Sequence, residues 1–493
     1  MKVAIIKDDN LDYCRQPPYH PPELYPEYPF KDTCPGNTCY NEVRNLLRKL
    51  GLDGHNFGTA SWNPLGEVIR PGDHVFIKPN FVGHDNPAGG LECLIAHGSV
   101  VRAVLDYVHI ALKGTGRITI GDSPQLETDF DQVVQAMGID HIVRYYEQYG
   151  VRIPVVDLRK VKGHARKIGG MINEELSGDP MGYRVVDLKS DSEHMGIIDD
   201  CDKFRVADYD PHEMIKHHNR EKNEYCISGS ILDADVIVNL PKLKTHAKTG
   251  ITCALKNLIG VNGYKDWLPH HRAGSAEEGG DEYIRRDLRK GVFVWLKEGM
   301  VATDNLLYIV PMRSLSAALI LSNRVKPFND PCLVGSWHGN DTLPRTIVDL
   351  NKIIFYADRD GVMRDRPRRR MFILVDGIVA GEKEGPMKPE ARRCGVLIAG
   401  LNPVEVDAVC STVMGFDYRK IPTIQRAKNV SKYPLFDGRV LDIEICADRC
   451  TGFEGLYGAY NCRICPPAGW KGHIEYEESM SFLNKLMPPL MAK

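Results

Sequence analysis

The sequence predicts an α/β fold: a mostly parallel sheet with helices on both faces, polar insertions and a Cys-containing C-terminal segment. Short β-branched runs recur along the chain, and each ends in polar residues: VFIKPN, RITIGDSP, RIPVVDL, DVIVNLPKLKTH, FILVDGIV and GVLIAGLNPVEVD. Helical patterns follow several of these runs, as expected of βαβ units. The runs are continuously apolar, which is typical of strands covered on both faces.

The chain has 493 residues, more than one ordinary hydrophobic core holds. We expect these segments: an N-terminal arm and helix (1–72), a first α/β half (73–158), a polar insertion (159–223), a core strand and helix (224–269), a helical insertion (270–370), a second α/β half (371–445) and a cysteine-containing C-terminal segment (446–493). The Pro- and Tyr-rich first forty residues predict an extended arm laid over the surface. NEVRNLLRKL then predicts a helix from Asn41 to Leu50.

The overall charge excludes a general attraction to nucleic acid or to an anionic membrane. The 63 basic and 65 acidic residues leave a net charge of −2. We interpret the basic run RDRPRRR as a solvated connection, because it lacks interleaved aromatic residues. The N-terminal MKVAIIKDDN has no secretory pattern, so we expect a cytoplasmic protein whose 14 cysteines are reduced.

One apolar stretch, from Asn305 to Ser322, needs a separate interpretation. Pro311 and Arg313 interrupt it, and it is shorter than the ~20 apolar residues that a membrane span needs. We interpret it as a buried helix, with a membrane-surface hairpin as the alternative. No stable membrane insertion is expected.

The run VIVNLPKLKTH carries the strongest signal for chemistry. If the chain stays extended after Pro241, alternation places Lys242, Lys244 and His246 on one face. Two crowded lysines repel each other unless an anion lies between them, which favours a phosphate or carboxylate ligand. His246 would then be a general acid or base. The alternative is an exposed strand end with ordinary surface lysines.

Two further strand ends point to the same edge of the sheet, where ligands of open α/β sheets bind. VFIKPN delivers Lys78 and Asn80, again on one face. In RITIGDSPQ, Asp122 or Ser123 is expected to be a helix N-cap, with Pro124 at the first helical position. A helix N-terminus there would bind an anion, unless the two residues only cap the helix.

Other polar residues follow in similar positions. Lys256 and Asn257 lie on an expected helix from Thr252 to Leu258, Asp376 follows FILV, and Asp407 lies on a helix after Asn402 and Pro403. The carboxylates, with Glu382 and Glu384 of the GEKEGP loop, could hold Mg²⁺ beside a phosphorylated ligand or simply neutralise the lysines.

A His-His pair lies in a long Gly-containing segment, WLPHHRAGSAEEGGDEY. Such segments are typical of binding loops or lids, so His271 and Arg272 are candidate ligand contacts. Solvent exposure of both is the alternative.

Four C-terminal cysteines, Cys446, Cys450, Cys462 and Cys465, are spaced as C-x3-C-x11-C-x2-C. Four thiolates within twenty residues could bind zinc or an iron–sulfur cluster, although the C-x3-C is irregular for a zinc ribbon. Buried free thiols are the alternative. G-x-G-x-x-G, G-x4-G-K-[ST] and G-x-S-x-G do not occur in the contexts that dinucleotide, P-loop and α/β-hydrolase proteins require.

Several segments together resemble the family catalogued as domain of unknown function 362, from residue 73 to 427. They are VFIKPNF, GDSP, DADVIVNLPKLKTHAKTGITCALKNLIG, DGIVAGEKEGP and AGLNPVEVDAVCSTVMGF. The resemblance implies an α/β fold, bacterial or archaeal origin and no settled reaction. It marks the following site residues: Lys78, Asn80, Asp122, Lys242, Lys244, His246, Lys256, Asn257, Asp376 and Asp407.

Some members of that family carry ferredoxin-like iron–sulfur segments, but the cysteines here do not follow the ferredoxin spacing. The longer form with GGDEY looks like the branch found near cell-surface polysaccharide genes. The leading hypothesis is an enzyme, a transferase or isomerase, that clamps an anionic small molecule between Lys78, Lys242 and Lys244. The alternatives are an iron–sulfur or thiol redox protein and a noncatalytic binding or scaffold protein. A homo-oligomer is left open.

Overall fold

The computed structural model describes residues 1–165, 171–207, 209, 211–301, 303, 305–328, 330, 332–449 and 452–477. The strands are β1 Lys2–Lys7, β2 His74–Pro79, β3 Arg117–Asp122, β4 Val155–Asp157, β5 Val161–Ala165, β6 Met171–Glu175, β7 Tyr183–Asp187, β8 Phe204–Arg205, β9 Glu224–Ser228, β10 Val236–Leu240, β11 Lys242–His246, β12 Gly250–Thr252, β13 His271–Arg272, β14 Arg370–Glu384, β15 Lys388–Gly400 and β16 Glu444–Cys446. The helices are α1 Thr38–Lys49, α2 Gly98–Leu112, α3 Phe130–Ala136, α4 Ile139–Glu147, α5 Pro211–His217, α6 Gly229–Asp233, α7 Ala254–Asn257, α8 Leu288–Val301, α9 Leu306–Val325, α10 Thr342–Tyr356, α11 Pro403–Met414, α12 Pro422–Ala427 and α13 Gly452–Tyr460.

A ten-stranded sheet organises the molecule, in the order β16-β1-β15-β14-β10-β2-β3-β4. The pairs β14·β10, β10·β2, β2·β3 and β3·β4 are parallel. β15 is antiparallel to both β1 and β14. β11 continues beyond β10 and pairs in parallel with the far half of β14, with β12 beside it. The predicted α/β fold with a mostly parallel sheet is confirmed.

Both faces of the sheet are buried, as the continuously apolar strands predict. Val236 and Val238 of β10 face a cluster that includes residues of α1, α2 and α4. Ile237, between them, faces a second cluster with residues of α10 and α11. Because side chains alternate along a strand, each strand must supply apolar residues at every position to fill both clusters.

The N-terminal arm lacks helix or strand between β1 and α1, as expected, but it is not confined to the surface. Leu11 and Tyr13 are almost completely buried. The helix after it begins three residues earlier than predicted, because Asn37 accepts a hydrogen bond from the Tyr40 N–H and caps it.

The expectation that residues 305–322 form a buried helix is wrong. The helix exists as α9, but Leu307 is 83% and Leu321 60% exposed. Within the described residues, α9 is the one helix whose length and composition would allow it to cross a membrane. The spacing of apolar residues predicts that a helix forms, but whether that helix is buried depends on its position in the tertiary structure.

Candidate functional site

The predicted polar residues meet where β2, β3 and β10 end and β11 begins, beside the middle of β14. We call five amines the lysine cluster: Lys78, Lys242, Lys244, Lys256 and Lys265. Parallel neighbours deliver their carboxyl ends to one edge of the sheet, which accounts for Lys78 and for the start of β11. β11 is extended, so its two lysines lie on one face, opposite the buried Leu243.

Lys242 forms a buried ion pair with Asp376. Its Nζ lies 3.0 Å from Asp376 Oδ2, and both side chains are fully buried. The Tyr13 hydroxyl accepts a hydrogen bond from Lys242 at 2.6 Å and donates one to Asp376 Oδ1 at 2.6 Å. The backbone N–H of His97 also donates to the Asp376 carboxylate, at 3.0 Å. Burial and the Asp376 charge raise the pKa of Tyr13 well above its usual value, so the phenol keeps its proton.

Lys78 forms a second buried pair, with its Nζ 2.6 Å from Asp122 Oδ1. The backbone N–H groups of Phe81 and Ser123 donate to the same carboxylate, each at 2.7 Å. Gly260 lies directly against the pair, since a Cβ there would come within 2.1 Å of Asp122 Oδ1. Glycine is therefore required for the loop after α7 to close over the pair.

The expected N-cap at Asp122 or Ser123 is wrong. The next helix, α3, begins at Phe130 and is capped by Asp129. The Asp122 carboxylate instead pairs with Lys78 and accepts the backbone N–H of Phe81. The Ser123 hydroxyl donates to the Asn262 carbonyl. In this described segment, no helix begins at Pro124.

Three asparagines join β2 and β10 to α7. Asn257 Oδ1 accepts from Asn80 Nδ2 at 2.9 Å, and Asn257 Nδ2 donates to Asn239 Oδ1 at 2.8 Å. The Oδ1 of Asn80 is buried and has no hydrogen-bond partner in the described part of the chain. An acceptor in that state favours a ligand or water that donates to it.

Three amines of the cluster have no carboxylate in ion-pair contact among the described residues. Lys244 is fully buried and donates to the Leu94 carbonyl. Burial, together with Lys256 and Lys242, lowers its pKa well below the usual value. Burial and Lys78 lower the pKa of Lys256 to about 8. For Lys265 burial is again the main cause and lowers the pKa to about 7. Cations crowded in this way are stabilised by an anion between them.

Two neutral histidines with opposite tautomers adjoin the amines. His246 Nδ1 accepts the Lys248 backbone N–H at 3.1 Å, so in the neutral ring Nε2 carries the proton. His270 Nδ1 lies 2.6 Å from the Leu268 carbonyl, which can only accept, so its Nε2 is free of the proton. Burial, with nearby lysines, lowers both pKa values well below the usual range. One ring offers a donor and the other an acceptor.

Lys256 and Lys265 are the outermost amines of the cluster. Lys78, Lys242 and Lys244 are fully buried, whereas Lys256 and Lys265 are only partly buried. A cavity of about 460 Å³ under the arm lies beside the Lys242–Asp376 pair, since it is lined by His97, whose backbone N–H donates to Asp376. The cluster therefore has partly buried amines on one side and a cavity near its inner ion pair on another.

His271 and Arg272 lie on β13, apart from the inner amines. His271 Nε2 lies 3.7 Å from Glu282 Oε1, and Arg272 lies 3.7 Å from Asp281. His271 lines a separate cavity of about 260 Å³ beside α8. Of the His-His pair, His270 is the ring whose pKa the charge of Lys256 also lowers, after burial and Lys248.

Asp407 positions the site and does not line it. Its Oδ1 and Oδ2 accept the N–H groups of Ala254 and Leu255 at 2.6 and 3.1 Å, which anchors the start of α7. Burial raises its pKa to about 7. The helix has four residues instead of the expected Thr252 to Leu258, because β12 occupies the preceding residues.

The carboxylates considered for Mg²⁺ are used otherwise. Asp122 and Asp376 neutralise lysines, and Glu382 and Glu384 accept backbone N–H groups of the C-terminal segment. Across the described ranges, His, Cys, Asp and Glu side chains do not gather in threes or more as a metal site would need. The contacts of Asp122 and Asp376 agree with the alternative that carboxylates neutralise the lysines.

The C-terminal cysteines do not converge in the described part of the chain. Cys446 ends β16 at the sheet edge, and Cys462 packs against Cys394 of β15. Cys465 is exposed beside Glu382. Cys450 lies outside the described residues. The spacing did not reveal that Cys446, Cys462 and Cys465 each lie in a different contact.

Sequence reasoning missed Tyr13, Lys265 and the role of His270. Tyr13 reaches Asp376 across 363 residues and stacks on His97 at 4.2 Å between ring centroids. No local pattern marks Tyr13, a single residue in a loop, or Lys265, a single lysine at the start of a short 3₁₀ helix. His270 had a signal, since it adjoins His271 in the same motif.

Comparisons with known proteins agree with the resemblance. A family model described as "Domain of unknown function (DUF362)" matches residues 75–180 and 184–412. The Synechocystis sp. protein named "Thylakoid-associated protein sll1697" is 28% identical over 219 residues, which are 44% of this chain and 44% of that protein. This chain thus spans less than half of that relative. A crystal structure of a Thermotoga maritima protein is similar over 72% of this chain and 54% of that one, with 13% identity and a TM-score of 0.30. Because the family model covers more than half of the sequence, the chain belongs to the domain of unknown function 362 family.

Proposed function

We propose that the protein is an enzyme that binds an anionic small metabolite, phosphorylated or carboxylated, in the lysine cluster. The observation that carries the proposal is a local excess of positive charge. Asp122 and Asp376 each neutralise one amine, Lys78 and Lys242. The other three amines of the cluster have no carboxylate in contact within the described residues.

The excess matters because it is buried. Lys244 is removed from water and is repelled by Lys256 and Lys242, which is costly unless the amine is neutral or an anion is present. A bound phosphate or carboxylate would restore the protons and convert the repulsion into attraction. Lys256 and Lys265, which are only partly buried, are the amines that such an anion would contact from solvent.

The two histidines supply groups suited to proton transfer. His246 Nε2–H would donate to an oxygen that gains negative charge, and His270 Nε2 would accept a proton. The lysines would stabilise the developing charge from fixed positions. These roles suit a transferase or isomerase step. The link to cell-surface polysaccharide biosynthesis stays a prediction.

Isothermal titration calorimetry with inorganic phosphate and with pyrophosphate at neutral pH tests the binding step. We expect Lys244→Met and Lys256→Met each to weaken binding by about tenfold or more, since a charge-assisted contact is worth roughly 1.5–3 kcal/mol. The matched control is Lys113→Met, because Lys113 is exposed at the opposite end of the sheet, before β3. Unchanged affinity in Lys244→Met, or no binding by the natural protein, would contradict the proposal.

Turnover separates an enzyme from a noncatalytic binder. Phosphorylated sugars and nucleotides that bind are incubated with the protein and followed by ³¹P nuclear magnetic resonance. We expect His246→Gln to keep phosphate affinity and to lose turnover, because Gln cannot transfer a proton. Binding without turnover of any bound compound would favour the scaffold alternative.

A further inference from the structure

In the hairpin formed by α8 and α9, the helix α9 is apolar on its exposed side as well as on its packed side. Against α8, α9 places Ile309, Met312 and Ser316, and Met312 lies on Gly299. Towards solvent it presents large apolar side chains, with Leu307 at 83% exposure. A helix that packs on a protein surface normally has polar residues on the face towards water.

The base of this hairpin is fixed firmly to the rest of the protein. Lys290 of α8 is fully buried, and its Nζ lies 2.7 Å from Asp330 and 2.8 Å from the Cys332 carbonyl. The Arg289 guanidinium donates to the carbonyls of Lys326 and Pro327, just after α9. The exposed apolar surface therefore belongs to an anchored element.

The exposed apolar residues cover too much of α9 for one partner helix. They are Leu306, Leu307, Tyr308, Val310, Leu315, Ile320, Leu321 and Val325. At about 100° per residue, they occupy an arc of roughly 240°, from Ile320 round to Tyr308. A helix packed against a protein surface buries a stripe of about 100° or a little more. Lipid, in contrast, surrounds a helix on every open side.

The charge of the hairpin differs from that of the chain. Residues 287–330, which include the Asp partners of Arg289 and Lys290, contain six basic and four acidic residues, a local charge of +2 in a chain of −2. Arg324 and Lys326 are exposed at the base, and the sequence of α9 contains no Asp or Glu. Trp295 and Tyr308 are exposed by 62% and 61%. Basic and aromatic residues flanking an apolar helix suit an anionic lipid headgroup layer.

We propose that the α8–α9 hairpin binds the surface of an anionic lipid bilayer. Its apolar side chains enter the acyl region of one leaflet, and its basic residues contact the headgroups. This interfacial mode does not require α9 to span the bilayer. It places the main body of the protein, with the lysine cluster, beside the membrane.

Vesicle flotation and tryptophan fluorescence test this proposal with the full chain. The probes are vesicles of phosphatidylcholine, with and without phosphatidylglycerol. We expect the protein to float with the anionic vesicles and its fluorescence to shift to shorter wavelength, and the shift to disappear in Trp295→Phe. Among the described tryptophans, Trp62, Trp337 and Trp470 are buried and Trp267 is stacked on His217 and Tyr264, so Trp295 dominates the change.

The double variant Leu307→Glu, Leu321→Glu should have an affinity for anionic vesicles that is lower by about tenfold or more, because both charges would enter the acyl region. Leu441→Glu is the matched control, since Leu441 is 73% exposed elsewhere on the surface. Circular dichroism and phosphate titration verify that each variant is folded.

Two results would overturn the proposal. The first is failure of the natural protein to float with anionic vesicles. The second is vesicle binding that the double variant retains. Light scattering without lipid identifies the competing occupant: a dimer that the double variant dissociates, with no flotation, would assign the hairpin to a second copy of the chain.

Discussion

Two neighbouring lysines of one strand should respond in opposite directions to the same substitution. Lys242 and Lys244 are both fully buried on β11. Lys242 has a carboxylate partner in Asp376, whereas Lys244 has the Leu94 carbonyl and the repulsion of other amines. We expect Lys244→Met to stabilise the ligand-free protein and Lys242→Met to destabilise it.

The magnitudes follow from burial and pairing. Lys244 can avoid its charge by losing a proton, and from a usual pKa of 10.5 this costs at most about 5 kcal/mol at pH 7. Met removes that cost but leaves the Leu94 carbonyl unpaired, at about 1–3 kcal/mol. The net gain is therefore at most about 2–4 kcal/mol. Lys242→Met leaves the buried Asp376 charge without its cation, which costs about 3–5 kcal/mol.

The pH dependence has a definite sign. The pKa of Lys244 is lower in the folded protein than in the unfolded chain, so the unfolded chain binds more protons between the two values. The destabilisation by Lys244 is therefore complete below its folded pKa and declines as the pH rises towards 10.5. The benefit of Lys244→Met should shrink from pH 7 to pH 9.

Thermal and guanidinium unfolding of the natural protein, Lys244→Met and Lys242→Met in phosphate-free buffer measures these differences. Lys113→Met, at an exposed lysine, should leave the midpoints unchanged. If Lys244→Met destabilises the protein as much as Lys242→Met does, Lys244 is not an uncompensated amine and the reasoning fails. Loss of phosphate binding together with a gain in stability would show that the site exchanges stability for affinity.

Three further predictions concern the same site. Asp122→Asn leaves the buried Lys78 amine without its carboxylate and should cost about 3–5 kcal/mol, as measured by thermal unfolding; a cost below about 1 kcal/mol would contradict the pairing. Gly260→Ala should displace the loop and weaken phosphate binding, because its Cβ would lie 2.1 Å from Asp122 Oδ1; unchanged affinity in calorimetry would show that the loop yields without cost. Affinity for sulfate, which keeps its charge, should fall from pH 6 to pH 9, because Lys256 and Lys265, with pKa values of about 8 and 7, lose their protons; affinity independent of pH would exclude them from binding.

The fold and the location of the site followed from local pattern. Continuously apolar runs identified strands buried on both faces, and both faces of β10 are covered. The rule that ligands bind at the carboxyl ends of strands selected Lys78 and Asp122, which the structure places in contact. These features depend on residues close in sequence and on a general property of parallel sheets.

The partners of the site residues depend on chain crossings that no local pattern contains. Lys242 and Lys244 have nearly the same sequence surroundings, yet only Lys242 meets a carboxylate, because β11 pairs with β14 and Tyr13 approaches from the far N-terminus. Likewise, the helical spacing of residues 305–322 is compatible with a buried or an exposed helix. Burial and pairing are properties of two surfaces, and the sequence of one element describes only its own.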